Sequence, residues 1–124
     1  MIKKKKYQVV SKLSLLGDEG YYKWGENCDG WNLVDEKTMS VKLEKMPPHS
    51  SEQKHYHKRA NQFFYILKGE AIFEIQRERI SVKSEQGIFI EAGKEHRIMN
   101  ETEEDLEFML TSQPSTSGDR INIE

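Results

Sequence analysis

Apolar and polar side chains alternate every second residue along most of this chain. Ala71, Phe73 and Ile75 interleave with Glu70, Glu74 and Gln76; Leu106, Phe108 and Leu110 with Glu107 and Met109; Met39, Val41 and Leu43 with Ser40, Lys42 and Glu44. Successive strand positions face opposite sides, so a period of two predicts half-buried strands. The same reading predicts a strand at 62–67, a turn at Lys68 and Gly69, a polar turn at 77–79, and a strand through Ile80 and Val82. The apolar run Ile88, Phe89, Ile90 then leads through a glycine turn into an extended stretch ending at Asn100. Pro47 and Pro48 end the run that starts at Met39, because proline cannot donate to a strand ladder. No stretch carries a convincing helical period. Many short strands at regular spacing predict an all-β fold, a barrel or a sandwich.

The two ends read differently. Val9, Val10 and the apolar residues at 13–16 are expected to form an early strand. Residues 20–31 set Tyr21, Tyr22, Trp24 and Trp31 among Gly, Asn and Asp, as in a loop or irregular strands anchored by aromatics. Such rings have two uses: Trp24 and Trp31 plug the end of a core, or one ring lies over a small ligand at a barrel mouth. Residues 113–119 read as a polar linker to a short strand around Ile121 and Ile123. The expected organisation is 1–37 as N-terminal strands and an aromatic loop packed on a barrel, 38–112 as the barrel core, and 113–124 as linker and final strand.

At 124 residues the chain suits one domain, and a chain of that size buries roughly two thirds of its unfolded surface. Charged residues make up 32%, yet the formal net charge is only −2. That balance argues against a nucleic-acid partner and against an anionic membrane surface. Cys28 is the only cysteine, so an internal disulfide is excluded, and with no activating motif nearby it reads as a spectator thiol in or near a loop. The lysine run at 3–6 is not followed by an unbroken apolar stretch, which gives neither a signal peptide nor a membrane span; a fraying terminus and a cytoplasmic location are expected.

The candidate chemistry lies between His55 and Asn100. In His55-Tyr56-His57 alternation turns both histidines to one face and Tyr56 to the other, a natural chelate. His96 follows the turn of Glu91-Ala92-Gly93-Lys94-Glu95, so a third ligand would join from a distant strand only on folding.

These residues resemble a family, the cupins. His55, His57, Gln62 and Gly69 stand at the spacing H-x-H-x(4)-E-x(6)-G, and Glu91, Gly93, His96 and Asn100 at P-x-G-x(2)-H-x(3)-N. The stretches HYHKRANQFFYILKGEA and IFIEAGKEHRIMNETEEDLEFM look like the cupin domain of bacterial mannose-6-phosphate isomerases, over roughly residues 38–112. The resemblance implies a double-stranded β-helix (jelly-roll) barrel in which His55, His57, Gln62 and His96 hold a divalent metal such as Zn, Mn, Ni or Fe, with open positions for water or substrate. Three residues depart from the pattern. Gln62 stands for the usual glutamate, Glu91 for the usual proline, and Glu85 for the glycine that opens the second motif, although Gly87 lies close by. A glutamine oxygen still coordinates, but it brings no charge and cannot act as a base.

The function expected is capture of a small polar or sugar-like metabolite at that metal, with a sugar isomerase or epimerase as the enzymatic form. The other classes are a metal-dependent dioxygenase and a non-catalytic or metal-free sensing barrel. No base is evident beside the ligand motif. Finally, alternation sends Phe63, Tyr65, Leu67 and Met99 to the face opposite the ligands, as it does Ile72 and Met109. Apolar residues on both faces imply that both are covered, which predicts a two-fold homodimer around Phe63, Tyr65 and Met99, with the N-terminal strand exchanged between subunits.

Overall fold

The computed structural model describes residues 7–15 and 20–123; the lysine run at 3–6 and Leu16 lie outside the described residues. The all-β expectation holds. Among the described residues twelve strands follow in chain order: β1 Tyr21–Trp24, β2 Cys28–Asp35, β3 Ser40–Met46, β4 Ser50–Ser51, β5 His55–His57, β6 Asn61–Lys68, β7 Glu70–Ile75, β8 Glu78–Lys83, β9 Gly87–Ile90, β10 His96–Asn100, β11 Leu106–Gln113 and β12 Arg120–Asn122. They form two antiparallel sheets facing each other. One runs β1-β2-β3-β11-β6-β9, and the other runs β12-β5-β10-β7-β8 with β4 paired to β10. Among the described residues no helix is long and apolar enough to cross a membrane.

Inward side chains of both sheets meet in a core of Met46, Phe64, Ile66, Ala71, Phe73, Val82, Ile90, Ile98, Leu106, Phe108 and Leu110. Phe73, Phe108 and Ile66 are fully buried, each such burial stabilising the fold by roughly 2–3 kcal/mol. Gly69 turns β6 into β7 at a φ of 91°, where a Cβ would meet the Asp105 carbonyl oxygen at 2.9 Å. Both the left-handed backbone and the close approach require glycine there.

Four local expectations need correction. Residues 9–15 form no strand: Leu13–Leu15 make one 3-10 turn, with Val9 96% and Leu13 80% exposed. Ser11 and Ser14 bond each other's backbone amides at 3.3 and 2.9 Å, satisfying locally the groups a ladder would need. Residues 21–35 form a regular hairpin rather than a loop, with Tyr21 opposite Trp31 and Tyr22 opposite Gly30. The turn before β8 is Gln76 and Arg77, so Arg79 lies in the strand opposite Glu74. Met99 is not on the face of Phe63 and Tyr65. It sits on the other sheet, flanked by Ser51 and Ile72, and is buried within the chain. Alternation fixes the face of a residue but not its sheet.

The phase of β3 positions the site. Its buried residues are Ser40, Glu44 and Met46, whereas Val41 and Leu43 are half-buried on the outer face. The polar side of this strand therefore looks into the barrel.

Candidate metal centre

β5 and β10 pair at a single position, His96 opposite His55, and alternation along β5 adds His57 to the same face. Tyr56 points away and is half-buried, as expected. All three histidines are buried, and one ligand atom from each lies within 4.8 Å of the others. Ring centroids are 4.4 Å apart for His55 and His96, 4.9 Å for His55 and His57, and 5.9 Å for His57 and His96.

Hydrogen bonds set two of the rings. His55 Nδ1 meets the Gln53 carbonyl at 2.9 Å and His96 Nδ1 meets the Lys94 carbonyl at 2.8 Å. In each case the carbonyl lies two residues upstream and accepts the ring proton, so the lone pair is on Nε2. His96 Nε2, His57 Nδ1 and Gln62 Oε1 are buried with no hydrogen-bond partner among the described residues. Burial holds the imidazoles neutral, the form that ligates: His55 is lowered to about 3 against the pull of its carbonyl partner, His57 to about 4, and His96 in the same direction. Unpaired lone pairs on buried neutral rings are costly unless a cation takes them. The donor set fits a divalent ion, and the three histidines can hold one.

Gln62, on β6, lines the same cavity, and its Nε2 donates to Ser112 Oγ at 3.1 Å. The structure thus brings His55, His57 and His96 together and places Gln62 on the adjoining wall. Asn100, the last residue of the second motif, has another task. Its Nδ2 donates to the carbonyls of Met46, Pro47 and Glu104, and its Oδ1 accepts from Thr102.

The cavity measures about 230 Å³. Its other walls carry Tyr22, Trp24, Lys42, Glu44, Glu52 and Arg120. Carboxyls are therefore present where sequence reading found no base. Glu44 accepts a hydrogen bond from the Tyr22 hydroxyl, and burial raises it to about 7 against that bond. Glu52 accepts from the Ile98 amide at 3.2 Å and stands 3.9 Å from both His55 Nδ1 and an Arg120 nitrogen. Burial raises it to about 8, opposed by Arg120 and reinforced by Glu44.

One sequence signal could have revealed Glu44: Met46, an apolar residue next to the proline stop, shares its parity. Trp24 lines the cavity and donates to the Asp29 carbonyl at 2.9 Å, whereas Trp31 packs on the outer face against Tyr21. Cys28 starts β2 fully buried, and burial pushes its thiol up to about 11, which fits an inert thiol in a strand rather than a loop.

The sequence profile described as cupin domain matches residues 42–112, more than half of the chain. The chain belongs to the cupin family. The oxalate-binding protein of Thermotoga maritima is 35% identical over 65 residues, which cover 52% of this cupin and 54% of that protein. This cupin thus spans about half the length of that curated relative. Among solved structures, a predicted oxalate decarboxylase of Thermotoga maritima superposes with a TM-score of 0.77 at 23% identity, covering 87% of this chain and 100% of the other. The polyketide cyclase RemF of Streptomyces resistomycificus reaches a TM-score of 0.78 at 14% identity, covering 95% and 86%. These likenesses establish the double-stranded β-helix and leave the chemistry to the site.

Proposed function

We propose that this cupin binds a divalent metal through His55, His57, His96 and Gln62 and captures a small oxygen-rich metabolite, a carboxylate or a sugar-like compound, in the cavity between its sheets. The observation that carries this reading is the meeting of three buried neutral histidines, two of them with unpartnered ring nitrogens, where His55 and His57 line that cavity. When bound, a divalent ion supplies open coordination positions for ligand oxygens and draws charge from them. The rest falls to the chain. Lys42 and Arg120 offset negative charge on the ligand, Trp24 offers a flat apolar wall, and the Ser112 hydroxyl orients the Gln62 amide. The oxalate-binding relative supports the carboxylate form of the reading.

Calorimetry with oxalate and with a small sugar, on metal-loaded and chelator-treated protein, tests it. Heat of binding for at least one of them only in the loaded protein is expected; equal binding with and without metal would remove the metal from the reading.

We also propose a homodimer through the outer face of β6 and β9. Phe63 and Phe89 are opposite each other in register and 40% and 58% exposed, Tyr65 stacks on Phe63, and Leu67 is 45% exposed.

A further inference from the structure

His55 and His96 each give a ring proton to the carbonyl two residues upstream, but the chain releases those two carbonyls by different means. Before His96 a glycine turn does so: Gly93 has a φ of 85°, and the Lys94 amide bonds back to the Glu91 carbonyl at 3.3 Å. The stretch before His55, Glu52-Gln53-Lys54, has no glycine. β4 and β5 lie along the same neighbour, β10, with Ser51 opposite Met99 and His55 opposite His96. Three residues, Glu52, Gln53 and Lys54, therefore face two, Arg97 and Ile98. Such an excess is a bulge, and it takes carbonyls out of the ladder. The Gln53 carbonyl is one of them, and it meets His55 Nδ1 at 2.9 Å.

A bulge also deprives the facing strand of an acceptor, and here the Glu52 side chain supplies it. The Glu52 amide donates to the Ile98 carbonyl at 3.1 Å, and Glu52 Oε1 accepts from the Ile98 amide at 3.2 Å. A side-chain oxygen thus stands where a regular antiparallel pair offers a main-chain carbonyl. Glu52 is buried, so water does not compete for that bond. His55 Nδ1 lies 3.9 Å from Glu52 Oε1, beyond hydrogen-bond reach, and is already held by Gln53. From the C-terminal segment, Arg120 Nη1 stands 3.9 Å from Glu52 Oε2, Arg120 Nη2 donates to the Gln53 carbonyl at 3.4 Å, and the Ile123 amide donates to the Lys54 carbonyl at 2.8 Å. The bulge is pinned from both neighbouring strands.

We propose that Glu52 is a positioning residue for the metal centre: by closing the ladder to Ile98 it holds the bulge whose Gln53 carbonyl fixes the tautomer of His55 and leaves Nε2 to ligate. The proposal rests on the metal-capture reading above for the ion alone, since the hydrogen bonds that carry it form without metal. What the position needs is an oxygen at the reach of a glutamate side chain; the charge on that oxygen is not used. Without the oxygen the buried Ile98 amide is unpaired, the bulge relaxes, and the Gln53 carbonyl no longer holds the ring proton on Nδ1.

Two conservative variants test it. Glu52→Gln keeps an oxygen at the same reach without the charge, and Glu52→Asp keeps the charge one methylene short. In metal-free protein at neutral pH, nitrogen-15 NMR of the imidazoles should find the His55 proton on Nδ1 in wild type and in Glu52→Gln, and shared between the two ring nitrogens in Glu52→Asp. The Ile98 amide should exchange with deuterated water at the wild-type rate in Glu52→Gln and about tenfold faster or more in Glu52→Asp. Calorimetric titration with Zn²⁺ should place Glu52→Gln within about twofold of wild type and weaken Glu52→Asp by about 10- to 100-fold. The reverse order, with Glu52→Asp like wild type and Glu52→Gln impaired, would make the charge the working feature and overturn the proposal. A His55 tautomer kept in both variants, or lost in both, would overturn it as well. A wild type that takes up no Zn²⁺ overturns the capture reading beneath it, and the metal-free NMR tells the two failures apart.

Discussion

At the scale of single residues, the site is a balance between groups that burial keeps neutral by shifting them in opposite directions. His55 and His57 have folded values below their ordinary 6.5, so their contribution is present above 6.5 and is lost as pH falls toward about 3 and 4. Glu44 is the reverse: raised from 4.5 to about 7, it contributes fully below 4.5 and loses that contribution as pH rises through 7. In metal-free protein, Glu44→Gln should therefore gain roughly 2–3 kcal/mol at pH 8 relative to its effect at pH 5. Denaturant unfolding at the two values measures this, and an equal effect at both would show that Glu44 does not titrate between them. Gln62→Glu adds a charged ligand and should tighten divalent binding by about tenfold, or 1.4 kcal/mol, while Gln62→Leu weakens it; calorimetric titration with Zn²⁺ showing three equal affinities would put Gln62 outside the coordination shell. The histidines were legible because a two-residue spacing on a strand has one geometric meaning. Glu44 was not, because a polar residue on an alternating strand reads as solvent-facing unless something shows that the strand is turned polar side in.

At the scale of elements, the final strand belongs to the site. β12 pairs with β5, setting Arg120 opposite His57 and Asn122 opposite His55. Asp119, fully buried at its start, accepts the Arg59 and Ala60 amides at 3.1 and 2.9 Å and so ties down the turn between His57 and Gln62. Burial pushes its carboxyl up, but those bonds prevail and hold it below the ordinary value. Asp119→Ala leaves two amides unpaired and should cost roughly 2–4 kcal/mol, with weaker metal binding in the protein that still folds. Chemical denaturation and Zn²⁺ titration check it, and a loss under 1 kcal/mol would remove the tie. The strand around Ile121 was expected from its own alternation. Its neighbour was not, since pairing across more than sixty residues leaves no local mark, just as nothing local showed that the aromatics at 21–31 form a hairpin.

At the scale of the molecule, the barrel and its all-β class were legible because period, turn residues and two spaced motifs agree. The inner and outer faces of β6 followed too, while the burial of Met99 within the chain did not. For the homodimer proposed through the aromatic surface on β6 and β9, light scattering at micromolar concentration should give the mass of two chains for wild type and of one for Tyr65→Lys. A one-chain wild type would refute the dimer, and a variant dimer as tight as wild type would move the interface elsewhere. The central claim, a metal held by histidines on one face of β5 and β10, is tested most directly by elemental analysis of protein purified without chelators or nickel resin. Wild type and Tyr56→Ala should each carry about one divalent ion per chain, and His57→Ala and His96→Ala should lose most of it. Metal-free wild type, or equal loss in all three variants, would contradict the account.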